Sequence, residues 1–250
     1  MSVLPLTGKP IGKYGPTTYG PEAFRRGLRR RYDRLWWHAF DRIQTGRIEL
    51  DPILQARVPD RRRGLTLIAR PSPAVRQRVA SFLQQLRRLE PDQYYYSPCE
   101  FHLTVLSLFT ATVDSKRFFA RKERYLAAVN EALRRAAPVR IVFAGVTASP
   151  SAVMIQGFFE TNKLPQLRDR LRRQLRLRGL GKGVDERYRL QTAHLTVVRF
   201  RAPLRHSERF AQALEQARRR AFGTTTVRNF MLVENDWYMS RATVCLKRYR

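Results

Sequence analysis

The string His102-Leu103-Thr104-Val105 recurs unchanged as His194-Leu195-Thr196-Val197, 92 residues further on (194 − 102). In an extended strand the side chains at i and i+2 share a face, so each string sets an imidazole beside a hydroxyl. The same offset aligns much more of the chain without a gap. Pro73 falls on Pro165, Leu83 on Leu175, Arg76 and Arg78 on Arg168 and Arg170, and Ser115 on Ser207. Val139 and Ile141 fall on Met231 and Val233. Two copies at one fixed spacing predict a pseudo-two-fold domain and not a solenoid.

A single His-Leu-Thr-Val reads equally well as a buried strand with a hydrogen-bonded core histidine. Duplication changes that reading. The chain has four histidines, and two of them stand at equivalent places in a repeat. Two imidazoles and two hydroxyls brought together can take a proton, give a proton and hold phosphate oxygens without a metal.

Periodicity places these strings within a regular pattern. Residues 1–21 are rich in proline and glycine and are expected to be extended or disordered. A helix follows from Glu22 to about Gln44. From Gly64 the first unit reads strand (64–70), helix from Pro73, motif strand (101–109), helix (115–137, stopped by Pro138) and strand (139–147). The second unit reads strand (152–159), helix (164–178), motif strand (192–200), helix (207–222) and strand (225–233), with a last strand at 242–247. The expectation is an α+β fold of two pseudo-symmetric lobes. Each is a mostly antiparallel sheet with outer helices, and the two face a shared central cleft. The expected organisation is a basic N-terminal extension over 1–60 and a bilobal domain over 61–250, with repeat units of about 64–148 and 152–248.

Charge narrows the partners. Forty-nine Lys and Arg against 20 Asp and Glu leave a net charge of +29, and an excess of this size attracts polyanions, nucleic acid above all. Many arginines are expected on outer helix faces, among them Arg170, Arg172, Arg173, Arg176 and Arg218 to Arg220. Cys99 and Cys245 are too few for a disulfide framework or a metal cluster. No window reaches the ~18 apolar residues of a membrane helix and the N-terminus has no long apolar h-region, so a cytoplasmic protein without a membrane partner is expected.

The paired motifs resemble those of the 2H phosphoesterase superfamily, defined by two H-x-[ST]-x strings on strands of two pseudo-symmetric lobes. The resemblance covers about residues 61–250. His194 to Arg199 looks like the H-x-T-x-x-R of its 2′-5′ RNA ligase-like, RNA 2′,3′-cyclic phosphodiesterase branch. The first motif continues as Leu106-Ser107-Leu108-Phe109, where that branch usually carries a Phe-Leu-Gly-like stretch. The resemblance implies hydrolysis of a 2′,3′-cyclic phosphate or a 2′-5′ linkage on an RNA-like nucleotide, with no cofactor and no metal. Candidate catalytic residues are His102 and His194, one acid and one base, with Thr104 and Thr196 donating to the phosphate. Arg199 is expected at the phosphate by the resemblance alone. In a regular strand its offset of five from His194 puts it on the opposite face, so a bend, a bulge or a long reach is required. Tyr95 and Tyr188, close before the two motifs, are candidates for contact with a base. The same four motif side chains could instead hold a nucleotide phosphate in a binding module without turnover, or stand idle in an RNA-binding protein.

Overall fold

A computed structural model describes residues 21–186, 188–240 and 243–250. The proline- and glycine-rich start, read as extended or disordered, lies outside the described residues. Helix α1 (Pro21–Gln44) is followed by a short α2 (Pro52–Ala56), whose first turn is capped by the Asp51 carboxylate accepting from the Ile53 and Leu54 amides. Then come β1 (Arg63–Ala69), α3 (Pro73–Leu89), β2 (Tyr94–Tyr95), β3 (Leu103–Thr112), α4 (Lys116–Phe119), α5 (Lys122–Leu133) and β4 (Val139–Ser149). The second half carries β5 (Ala152–Phe159), α6 (Lys163–Leu177), β6 (Leu195–Arg199), α7 (Ser207–Gln216), β7 (Ala221–Val227), β8 (Phe230–Asn235) and β9 (Val244–Tyr249). The strands form two antiparallel sheets, β3-β1-β8-β9 and β2-β6-β5-β4-β7. Together with the helices this is an α+β fold with one motif strand in each sheet.

The repeat units and the sheets do not coincide. Each sheet is built as motif strand, first strand of the same unit, then last strand of the other unit: β3-β1-β8 and β6-β5-β4. The exchange has a local cause. Only Pro150 and Ser151 separate β4 from β5, and a two-residue connection forces an antiparallel hairpin. β4 therefore leaves its own unit, and β8 is free to cover the edge of β1 that β4 would have taken. The helices cross in the same sense: α3 packs on β7, and α6 packs on β3 and α5.

The segment read as one strand over 225–233 is two, because the chain passes from one sheet to the other through Arg228 and Asn229. The helix read over 207–222 stops at Gln216. A 3₁₀ turn over Ala217–Arg219 leads into β7, where Phe222 packs edge-on against Phe82 of α3. The helix read over 115–137 is α4 and α5, broken between Phe119 and Lys122.

Both motif strands are bulged at equivalent places. On β3 the pairs Leu67–Leu106 and Ile68–Thr104 leave Val105 opposite no residue of β1. On β6 the pairs Val153–Val198 and Met154–Thr196 leave Val197 unopposed. Residues 105 and 197 are again 92 apart. A bulge of one residue inverts the alternation beyond it. Val105 and Leu106 are accordingly both buried, as are Val197 and Val198, while Thr104, Ser107, Thr196 and Arg199 are partly exposed.

Helix α1 closes the second sheet. Leu28, Tyr32, Trp36, Ala39 and Ile43 are buried at helical spacing against β4, β5 and α7. Beneath it β5 comes very close to the segment before β6. A Cβ on Gly157 would stand 1.9 Å from the Ala193 carbonyl oxygen. Gly157→Ala is therefore expected to destabilise the fold by at least ~2 kcal/mol, since backbone and not a flexible side chain must yield. Thermal denaturation should show a drop of roughly 5 °C for a domain of this size; an unchanged midpoint would refute the close approach.

Candidate active site

The bulges place His102, Thr104 and Ser107 on one face of β3, and His194, Thr196 and Arg199 on the matching face of β6, all partly exposed. The bulge at Val197 puts Arg199 on the strand face that carries His194 and Thr196. The equivalent position on β3 is Ser107, whose hydroxyl donates to the Phe109 carbonyl at 2.9 Å. The site thus carries one strand-borne arginine and not two.

Each imidazole is held through Nδ1 by the residue two places before it, in two different ways. His102 Nδ1 donates to the Glu100 main-chain oxygen at 2.8 Å. A carbonyl only accepts, so Nδ1 carries the proton and Nε2 is left to the cleft. His194 Nδ1 shares a 2.8 Å hydrogen bond with the Thr192 hydroxyl, which can donate or accept. Among the described residues, no protein group bonds the Thr104 or Thr196 hydroxyl.

Both imidazoles are held well below their ordinary pKa, to about 4, chiefly because burial disfavours the cation. Arg70 and Arg199 add to this at His102, and Arg168, His102 and Arg199 add to it at His194. The Glu100 carbonyl works the other way at His102, since it accepts from Nδ1–H in the imidazolium too. The two rings are near enough that charge on His102 opposes protonation of His194, and the Arg199 charge reaches both.

A linkage effect follows. An unfolded imidazole protonates near its ordinary ~6.5, before the folded one does. The unfolded chain therefore binds more protons between about pH 6.5 and about pH 4, and stability falls as pH falls through that window. Thermal midpoints are expected to drop between about pH 7 and about pH 5, and a His102→Ala/His194→Ala double variant should lose part of that drop. Equal acid sensitivity in the double variant would contradict the depressed values.

Arg199 is set among aromatic groups. Its Nε donates to the Tyr96 hydroxyl at 3.0 Å, and its guanidinium lies 5.9 Å from the Trp237 ring centre and 5.8 Å from that of Tyr238. Tyr238 is fixed in turn by the Asp51 carboxylate, which accepts from its hydroxyl at 2.6 Å. Arg62 lies 4.8 Å from the Trp237 ring centre on the same side of the molecule.

The expectation for Tyr95 is corrected. In the β2–β6 ladder Tyr94 pairs with Arg199 and Tyr95 with the core-facing Val198. Tyr95 is therefore buried, its hydroxyl donating to the Glu90 carbonyl at 2.8 Å and its ring beneath Arg87. Tyr96 is buried as well, at 3% exposed, but its hydroxyl accepts from Arg199 Nε. Tyr188 is 49% exposed on the loop before β6. Arg172 is also not on an outer face. It is 5% exposed and paired with Asp185, Asp169 and the Leu190 carbonyl, so it pins that loop.

Arg168 is visible in the sequence only as a repeat match, and its role comes from burial. It is 1% exposed, and no carboxylate bonds its guanidinium among the described residues. Nε donates to the Val105 carbonyl at 2.8 Å, and Nη2 donates to the Thr104 and Thr192 carbonyls at 3.0 and 2.8 Å. One guanidinium thus ties the bulge of β3 to the segment that delivers His194. Burial lowers its pKa to about 9, so it stays charged at neutral pH. Its repeat partner Arg76 makes no such tie, and its buried Nε has no hydrogen-bond partner.

Two antiparallel sheets, each with one bulged motif strand next to its histidine, define the class as a two-lobed α+β fold. The family model of the 2′-5′ RNA ligase superfamily matches residues 71–236, and the chain belongs to that superfamily. Among solved structures it is similar to TT0787 of Thermus thermophilus, at 19% identity and TM-score 0.52, covering 74% of this chain and 96% of that one. It is similar to a phosphoesterase at 17% identity and TM-score 0.51, and to E. coli LigT complexed with 3′-AMP at 16% and 0.50; each covers 76% of this chain and 98% of the other. No curated protein sequence matches the chain. No helix among the described residues is long and apolar enough to cross a membrane.

Proposed function

We propose that this protein hydrolyses a phosphodiester in an RNA-like nucleotide, a 2′,3′-cyclic phosphate or a 2′-5′ linkage, by two-histidine acid/base catalysis. The reading is carried by the two imidazole–hydroxyl pairs, His102-Thr104 and His194-Thr196, with Arg199 brought to the face of the second pair by the bulge at Val197. In-line displacement at phosphorus needs a base on the attacking side and an acid at the leaving oxygen. His194 acts as the base towards water and His102 as the acid towards the leaving ribose oxygen. The Glu100 carbonyl supports that division, since it favours the imidazolium of His102, while arginine charges bear on both rings. Thr104, Thr196 and Arg199 hold the non-bridging oxygens, whose negative charge also offsets the cationic surroundings of both rings. The membership of the 2′-5′ RNA ligase superfamily and the 3′-AMP held by the similar LigT support a nucleotide substrate. The net charge of +29 supports nucleic acid affinity, and the exposed Tyr188 is the candidate for stacking on a base.

Turnover with EDTA present tests this on 2′,3′-cyclic nucleotides, an RNA ending in a 2′,3′-cyclic phosphate, and 2′-5′ linked oligoadenylate. Turnover by the wild type that is lost in His102→Ala and His194→Ala is the expected result. Tight nucleotide binding with no turnover on any of the three would replace this reading by a non-catalytic binding module.

A further inference from the structure

Helix α1 lies outside residues 71–236, yet one of its side chains is built into the strand that delivers His194. The β5–β6 ladder runs from Ala152–Arg199 to Ile155–Leu195. Two residues further along, Gly157 and Ala193 should form the next pair. The Tyr32 hydroxyl occupies that place. It donates to the Gly157 carbonyl at 2.9 Å and accepts from the Gly157 and Ala193 amides, both at 3.2 Å. A hydroxyl has one proton and two lone pairs, and here all three are used by backbone. Tyr32 is fully buried, its ring lies edge-on to Phe158 at 5.4 Å, and its own carbonyl accepts from the Thr147 hydroxyl.

We propose that Tyr32 is a positioning residue for His194: by wedging its hydroxyl between Gly157 and Ala193 it ends β6 at Leu195 and fixes the imidazole next to that end. Ala193 and Thr192 are then held from two sides, Ala193 by Tyr32 and the Thr192 carbonyl by Arg168. The N-terminal helix is thereby part of the catalytic lobe and not an appended arm. This inference rests on the two-histidine reading of the site.

Tyr32→Phe keeps the ring in place and removes only the hydroxyl. Asp33→Asn serves as the control, since Asp33 bonds Arg218 from the same turn of α1 and, among the described residues, makes no hydrogen bond to Ala193. The full chain carries both. In Tyr32→Phe, kcat is expected to fall ~10–100-fold with KM within about threefold, the signature of a displaced reacting group. The ring ¹⁵N resonances of His194, assigned with single His→Ala variants and followed with inorganic phosphate, should shift in Tyr32→Phe and stay in place in Asp33→Asn. A kcat within about twofold of wild type with unmoved His194 resonances would overturn the proposal. Equal losses in both variants would also overturn it, since that pattern marks general loosening of α1. If the wild type turns over no phosphodiester, the two-histidine reading fails, and the ring resonances still decide whether Tyr32 places His194.

Discussion

Alanine at either His102 or His194 is expected to lower kcat by about 10²–10⁴-fold, the range of one general acid or base. The double variant should be little worse than either single one, because acid and base act in the same displacement and their losses do not add. Stability should change little by comparison. Both residues retain some exposure, and each ring makes one protein hydrogen bond through Nδ1. A cost of about 1 kcal/mol, or roughly 2–4 °C, is the expected scale at neutral pH. The paired measurement is turnover with EDTA and thermal denaturation on the same samples. A collapse of the melting temperature in either variant, with activity lost only through unfolding, would mean that the histidine is a packing element.

Arg168→Met is expected to have the opposite balance, with a large loss of stability and loss of activity as its consequence. The substitution keeps an apolar stem of similar length and removes the donors to the Thr104, Val105 and Thr192 carbonyls. Val105 is the extra residue of the β3 bulge, so its carbonyl has no regular ladder partner to return to. Leaving buried acceptors without donors costs about 1–3 kcal/mol each. A total of roughly 3–5 kcal/mol corresponds to a fall of about 10 °C for a domain of this size. Arg168→Lys should recover only part, because an ammonium cannot span three carbonyls with the geometry of a planar fork. A midpoint within about 2 °C of wild type for Arg168→Met would show that the tie between the motif strands carries no weight.

Much of this architecture can be read from residue order. The duplicated His-x-Thr strings, their spacing and the hydrophobic periods around them are enough for two sheets, one motif strand in each, and two imidazole–hydroxyl pairs. The strand exchange between units is also written locally, in the two residues between β4 and β5, but the symmetry of the repeat masks it by suggesting that each unit keeps its own strands. Arg172 reads as part of a solvated helix face and Arg168 only as a repeat match, since a charged side chain on an amphipathic helix is normally exposed. Each is buried because its guanidinium reaches groups on other elements: strand carbonyls for Arg168, the Asp185 carboxylate for Arg172.

The sequence by itself determined which chemical groups this protein can bring to a phosphate, because the repeat fixes their kinds and their spacing along each strand. Their faces were decided only in three dimensions. A bulge depends on how a strand registers with its neighbour, and the bulge at Val197 put Arg199 on the face of His194 and Thr196. The same kind of register, between β2 and β6, sent Tyr95 into the core and brought Tyr96 to Arg199. The Tyr32 hydroxyl accepts from the amide of Ala193, 161 residues away in the chain, a contact that residue order does not announce and only the packing of α1 on β5 provides.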